Sequence, residues 1–186
     1  MPSTLRSALL PVVVLALAAC SGGGDDDDGA DLGTTSSIAP PVAPDLPAAS
    51  PAGTGVVDIG GINASFQVTG CQLEPASPDA TDLVHVTGNG TRGNGVPFSV
   101  DVVRTSTEDT GETFTDLITY TDAARILQVQ RTEVDGEVSD LRDPGARSAL
   151  LRVRPDGVSA TGIAGPPGTS APTGPGLVGL ALDATC

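Results

Sequence analysis

The strongest constraint on this chain is an alternation of apolar and polar residues that begins near Gly55 and continues to Cys186. Between Ile62 and Thr69, for example, Ile, Ala, Phe and Val alternate with Asn, Ser, Gln and Thr. A period of two places the apolar side chains on one face of an extended strand, and Gly-, Pro-, Asn- and Asp-rich segments between such stretches are typical of turns. The predicted strands are 56–59, 62–71, 83–87, 96–105, 113–121, 125–134, 149–154, 158–164 and 178–186.

The connections between these strands are short, which favours antiparallel pairing. Gly60-Gly61 and Asp135-Gly136 are two-residue hairpin signals. The segment Gly88–Gly95 holds two Asn-Gly dipeptides and is predicted to turn the chain into the next strand. Asp122–Ala124 is the one place suited to a short helical turn. We therefore expect an all-β, mainly antiparallel domain: a curved sheet, sandwich or partly closed barrel of eight or nine short strands.

The residue composition limits both the core and the partners of this domain. Its only aromatic residues are Phe66, Phe98, Phe114 and Tyr120, so the core is expected to be mainly aliphatic. Acidic residues outnumber basic ones 23 to 9, for a net charge of -14, which argues against nucleic acid as a partner. All basic residues are arginines, and with much Ala, Gly, Val and Asp this suggests a GC-rich genome such as that of an actinobacterium.

The segment Met1–Ala19 has the three zones of a secretory signal: a start with Arg6, an apolar run and small residues before a cleavage point. The apolar run, Ala8–Leu17, is about half the ~20 residues that span a bilayer as a helix. The sequence Leu17-Ala18-Ala19-Cys20 resembles a bacterial lipobox. We expect cleavage between Ala19 and Cys20, with an S-diacylglycerol and an N-acyl group on Cys20. The alternative is an ordinary signal peptide with a coincidental cysteine.

Residues 20–53 are predicted to be a lipidated cysteine followed by a disordered linker, because Gly, Asp, Ala, Pro, Ser and Thr dominate their composition. The adjacent aspartates of Asp25–Asp28 lack the spaced ligands of a calcium loop and are interpreted as a charged spacer. Thr34, Thr35, Ser36 and Ser37 precede a proline-rich stretch and are candidate O-glycosylation sites. The folded domain is predicted to cover 54–186.

The chain has three cysteines. If Cys20 is lipidated, Cys71 and Cys186 remain, and a disulfide between them is expected in an oxidising compartment. Two free thiols or a metal-binding pair are the alternatives.

No residue pattern predicts catalysis, a metal or a cofactor, and we expect that the protein is not an enzyme. His85 is the single histidine, and its position between two valines predicts a half-exposed strand residue. Arg152 and Arg154 share a strand face, and we expect them to pair with acids such as Glu133 or Glu137 rather than bind an anionic polymer or lipid headgroup.

The chain resembles the mycobacterial 19 kDa lipoprotein antigen family, the LpqH type. The resemblance lies in Leu17–Cys20, the Thr/Ser-rich spacer, the hairpin from Val56 to Cys71, and the ending Leu180–Cys186, preceded by Asp156-Gly157 and Thr161-Gly162. It implies a lipid-anchored envelope protein at the cell surface without established enzymatic activity. It also implies that the two domain cysteines pair, and that host lipoprotein receptors recognise such proteins in pathogenic relatives through the acylated cysteine, here Cys20.

These observations predict a lipoprotein on the extracytoplasmic face of the cell membrane that displays a non-enzymatic β interaction or structural domain, with a cell-wall component or a host receptor as partner. The alternative is a binding lipoprotein that carries an apolar or glycan ligand in its curved sheet. This alternative requires a continuous apolar concavity open to solvent.

Overall fold

A computed structural model describes residues 40–75, 81–106 and 113–186, and these ranges contain strands and turns without a helix. Ten antiparallel strands form one curled sheet in the order β7-β6-β5-β4-β3-β2-β1-β10-β9-β8. The strands are β1 Thr54–Ile59, β2 Ile62–Gln72, β3 Asp82–Thr91, β4 Pro97–Ser106, β5 Phe114–Asp122, β6 Ile126–Val134, β7 Glu137–Ser139, β8 Leu151–Arg154, β9 Gly157–Ala164 and β10 Val178–Thr185. The all-β prediction is confirmed.

The sheet has ten strands, one more than the predicted maximum of nine. The additional strand, β7, has only three residues, too few to show an alternating pattern. It follows the predicted hairpin at Asp135-Gly136, where both residues have positive φ (51° and 79°), as a type I′ turn requires. Asp122–Ala124 forms a turn rather than a helix. The Asp122 carboxylate accepts the N–H groups of Ala124 and Arg125 and so satisfies the backbone locally.

The two ends of the curled sheet meet between β6 and the residue that follows β9. Gln128 and Gly165 exchange two backbone hydrogen bonds, of 2.8 and 3.0 Å. The concave face carries a contiguous core of buried side chains in which Leu180, Leu182 and Ala184 share one side of β10, as the alternation predicts. This core is mainly aliphatic, with Phe66, Phe98 and Tyr120 as its aromatic members.

The predicted turn at Gly88–Gly95 is wrong for its first half, because β3 continues to Thr91. A Cβ atom at Gly88 would lie 2.3 Å from the Phe66 ring, and one at Gly90 would lie 2.5 Å from the Phe98 ring. These glycines therefore make room for core aromatic rings on a strand. The turn itself is confined to the residues between Thr91 and Pro97.

Residues 40–53, which the composition assigns to the linker, contact the outer face of β9 and β10. The Thr161 hydroxyl donates to the carbonyl of Pro44, and the Ser50 N–H donates to Asp183 Oδ1 at 2.8 Å. Thr161 and Asp183 alternate with core residues of their strands, so their side chains lie on the face opposite the core. For these residues the structure differs from the linker prediction, because single-residue composition does not register such long-range hydrogen bonds. Residues 20–39 lie outside the described residues.

Candidate functional site

The structure brings Cys71 and Cys186 within disulfide distance, with Cα atoms 6.0 Å apart. Cys71 lies where β2 extends beyond the start of β1, and Cys186 follows the end of β10. Both residues are exposed. The link therefore joins the two neighbours of β1 at one end of the sheet. The predicted cleavage and lipidation sites, Ala19 and Cys20, and the predicted glycosylation sites, 34–37, lie outside the described residues.

His85 lies on the outer face of β3, where its Nε2 is 3.1 Å from Asp101 Oδ1 on β4. The two side chains are 41% and 52% exposed, as expected for a half-exposed strand pair. Asp101 is the one hydrogen-bond partner of the His85 ring among the described residues. In that same part of the chain, no three His, Cys, Asp or Glu side chains are grouped closely enough to hold a metal ion.

The prediction that the β8 arginines, Arg152 and Arg154, pair with acids such as Glu133 or Glu137 is wrong. Glu133 and Glu137 lie on β6 and β7, whereas β8 forms the opposite end of the strand order and pairs with β9. Arg154 Nη1 instead lies 2.7 Å from the buried Oδ2 of Asp183 on β10, and this hydrogen bond raises the pKa of Arg154. Arg152 is exposed.

Arg104 and Asp116 form a largely buried pair that holds the edge strand β8. Arg104 Nε and Nη2 donate to the two carboxylate oxygens of Asp116 at 2.7 and 2.9 Å. The same two side chains bind the backbone of Leu151: its N–H donates to Asp116 Oδ2 and its carbonyl accepts from Arg104 Nη2, both at 2.9 Å. We call this arrangement the β8 clamp. It satisfies backbone groups that an edge strand would otherwise expose.

A second buried pair, Arg131 and Asp140, fixes the loop between β7 and β8. Arg131 donates through Nε and Nη2 to Asp140 Oδ2 at 3.1 and 3.0 Å, and through Nη1 to the carbonyl of Ser148 at 3.0 Å. The other oxygen of Asp140 accepts the N–H groups of Arg142 and Asp143. The loop is thereby tied to the concave face of β6.

Arg142 crosses the seam at which the sheet closes, beside the Gln128–Gly165 bridge. Its guanidinium donates to the carbonyls of Gln128 and Pro166 and to the Thr169 hydroxyl. Arg142 is only 8% exposed, and its Nε has no hydrogen-bond partner among the described residues. Burial lowers the pKa of Arg142, and the charge of Asp140 partly opposes that effect.

Beside Arg142 the surface opens into a cavity of about 320 Å³, which we call the seam cleft. Its walls come from the outer face of β6, the end of β7, the start of the following loop and the segment after β9. The lining residues are Gln128, Gln130, Thr132, Ser139, Asp140, Leu141, Arg142, Gly168, Thr169 and Ser170. No sequence pattern predicts this site, because its residues come from three separate segments of the chain and only the closure of the sheet brings them together.

A further charged group, centred on Asp122, lies at the β5–β6 turn. Arg92 Nη2 is 3.0 Å from Asp122 Oδ2, and the Tyr120 hydroxyl donates to the same oxygen at 3.1 Å. Burial raises the pKa of Asp122, but the N–H groups of Ala124 and Arg125, the Tyr120 hydroxyl and the charge of Arg92 outweigh it and lower that pKa overall. These contacts are those of a structural turn.

Comparison with known proteins gives no relative: no protein-family model, no curated protein and no solved structure matches the chain. The described residues also contain no helix long and apolar enough to cross a membrane. The class that the structure itself defines is an all-β domain with one curled antiparallel sheet.

Proposed function

We propose that this protein is a lipoprotein, anchored through Cys20 on the extracytoplasmic face of the cell membrane, that displays its β domain as a non-enzymatic interaction or structural module. The observation that carries the proposal is the allocation of the three cysteines. With Cys71 and Cys186 next to each other, Cys20 is the one cysteine left for acylation.

The position of the cysteine pair supports the proposed compartment. Both members are exposed at one end of the sheet, where cytosolic reductants would reach a disulfide. Such bonds persist in oxidising compartments. An exposed disulfide between Cys71 and Cys186 is therefore consistent with export of the protein to an oxidising compartment.

The concave face of the sheet favours a displayed module over a carrier of an apolar ligand. Twenty buried side chains, each no more than 4% exposed, pack there against one another. An apolar ligand would have to displace part of this core. The half-exposed position of His85 on the outer face and its pairing with a single carboxylate support a non-enzymatic role.

Acylation is tested by comparing the full chain with Cys20→Ala in an actinobacterial host, using labelled palmitate and partition into Triton X-114. The proposal expects label and detergent partition for the full chain, and neither for Cys20→Ala. The double variant Cys71→Ser with Cys186→Ser is the matched control and should keep both label and partition. An unlabelled full chain, or a Cys20→Ala protein that still enters detergent, would refute the anchor.

A further inference from the structure

We propose that the seam cleft binds one or two rings of a neutral sugar. The proposal rests on the proposed role of the domain as a displayed interaction module, but it does not depend on the lipid anchor. Three observations carry it: unpaired neutral donors and acceptors on the walls, a fixed polar framework beneath them and an exposed apolar residue in the lining.

The side chains available to a ligand are an amide and two hydroxyls. Gln130, Ser139 and Ser170 line the cleft from three separate segments, and their side chains have no hydrogen-bond partner among the described residues. Amides and hydroxyls both donate and accept hydrogen bonds. Neighbouring sugar hydroxyls have the same dual character, so the cleft complements a polyhydroxylated ring.

Other lining groups are already held in place by the protein. Thr132 Oγ1 is 3.2 Å from Thr115 Oγ1, the Gln128 amide donates to Thr119 Oγ1 at 3.2 Å, and the Thr169 hydroxyl donates to the Pro166 carbonyl. These bonds fix the walls before a ligand arrives. A preformed site spends less free energy on ordering its side chains.

The charges favour a neutral ligand over an anion. The terminal nitrogens of Arg142, Nη1 and Nη2, both donate to carbonyl or hydroxyl oxygens of the protein. Asp140 places a carboxylate in the same lining. That carboxylate is paired with Arg131, so both charged groups of the lining already have partners within the protein and the cleft offers an anion no free cation. A neutral ring needs no such cation.

Leu141 gives the cleft an apolar part. It is 67% exposed although it belongs to the lining, so its side chain is available to the C–H face of a sugar ring. The cavity volume, about 320 Å³, lies at the small end of the range of ligand pockets, roughly 300–1,000 Å³. A mono- or disaccharide unit fits this volume better than a lipid or a folded partner does.

The test is a titration of the full chain, isotope-labelled and held in Triton X-100, which has no sugar headgroup. The probes are methyl glycosides of glucose, galactose, mannose and N-acetylglucosamine, together with maltose and cellobiose, followed by amide chemical shifts. At least one sugar should shift the amides of Gln130, Thr132, Ser139 and Ser170 in a saturable way. Gln130→Ala should weaken its affinity by about two- to tenfold, the worth of one hydrogen bond.

Two further variants make the outcome specific. Ser170→Trp, in an exposed loop, should fill the cleft and abolish the shifts, and Gln67→Ala, an exposed strand glutamine outside the cleft, should leave the affinity unchanged. If Ser170→Trp alters the far-UV circular dichroism, the double variant Gln130→Ala with Ser139→Ala takes its place. The proposal is overturned if none of the sugars shifts these amides, if the shifts survive the cleft variants, or if only phosphate or citrate produces them.

Failure of this test is distinguishable from failure of the anchor. The shifts are read on cleft amides and do not require Cys20, so the variant Cys20→Ala should bind the same sugar with the same affinity. Conversely, a chain that binds no sugar but incorporates palmitate would leave the proposed anchor intact.

Discussion

Glycines with a steric role show how a single residue sets the packing of this sheet. The ring of Phe66, on β2, packs over a glycine on each neighbouring strand. A Cβ atom would lie 2.1 Å from this ring at Gly55 on β1 and 2.3 Å from it at Gly88 on β3. Asn-Gly dipeptides are strong local turn signals, and this made Gly88–Gly95 look like a turn. The ring that explains Gly88 belongs to another strand, so local sequence patterns could not reveal its role.

We predict that Gly88→Ala lowers the free energy of unfolding by about 1–3 kcal/mol, because the added methyl group must displace the Phe66 ring. Urea unfolding followed by circular dichroism measures the change. Gly93→Ala is the matched control, since nothing lies within 4 Å of its added carbon. Phe66→Leu should lower the free energy of unfolding less in the Gly88→Ala protein than in the unaltered chain. The smaller leucine side chain relieves the clash with the added methyl group and so offsets part of its own cost. Equal midpoints for Gly88→Ala and Gly93→Ala would contradict the steric explanation.

At the scale of strands, the alternation of apolar and polar residues predicted local features well but did not reveal the contacts between distant strands. It predicted the hairpin at Gly60-Gly61 and the core face of β10, because both depend on residues that are neighbours along the chain. The β8 clamp and the closure at Gln128–Gly165 join segments that the sheet order separates. The same reason explains the wrong partners for Arg154 and the missed seam cleft.

The β8 clamp should be important for stability because it combines a buried ion pair with backbone hydrogen bonds. We predict that Asp116→Ala lowers the free energy of unfolding by about 3–5 kcal/mol, since it leaves Arg104 without its buried partner. It should also speed hydrogen exchange at the Leu151 amide, which donates to Asp116. Asp101→Ala removes the exposed partner of His85 and should change stability by only about 0–1 kcal/mol. A similar loss in both variants would refute a special role for the clamp.

The β5–β6 turn should make stability depend on acid. The folded-state pKa of Asp122 lies below its ordinary value of 3.8. Its contribution is therefore present above that value and is lost as pH falls through the lower folded-state pKa. We expect the unfolding free energy of Asp122→Asn to fall less steeply than that of the unaltered chain as the pH drops below 3.8. Asp82→Asn, at an exposed carboxylate, should keep the original slope, and an unchanged slope for Asp122→Asn would contradict the prediction.

For the whole molecule, long-range links decide where the domain begins and how its termini are held. Composition alone placed the domain boundary at 54, yet Ser50 is buried and donates to Asp183 across a separation of 133 residues. The pairing of Cys71 with Cys186 was accessible from sequence, because counting the cysteines left few alternatives. The position of this pair beside the start of β1 could not be predicted, since it follows from the strand order.

The link between Cys71 and Cys186 should be the largest single contribution to stability that can be removed without disturbing the core. It closes a loop with a sequence separation of 115, for which chain entropy gives at most about 5 kcal/mol. In a Cys20→Ala background, we expect no free thiol in the denatured, unreduced protein, and a lower urea midpoint after reduction. The variant Cys71→Ser with Cys186→Ser should show the same lower midpoint and no further response to reductant, which separates loss of the bond from other effects of the reductant. Two free thiols in the unreduced Cys20→Ala protein would show that the disulfide does not form, and the cysteine pair would then no longer support an oxidising compartment.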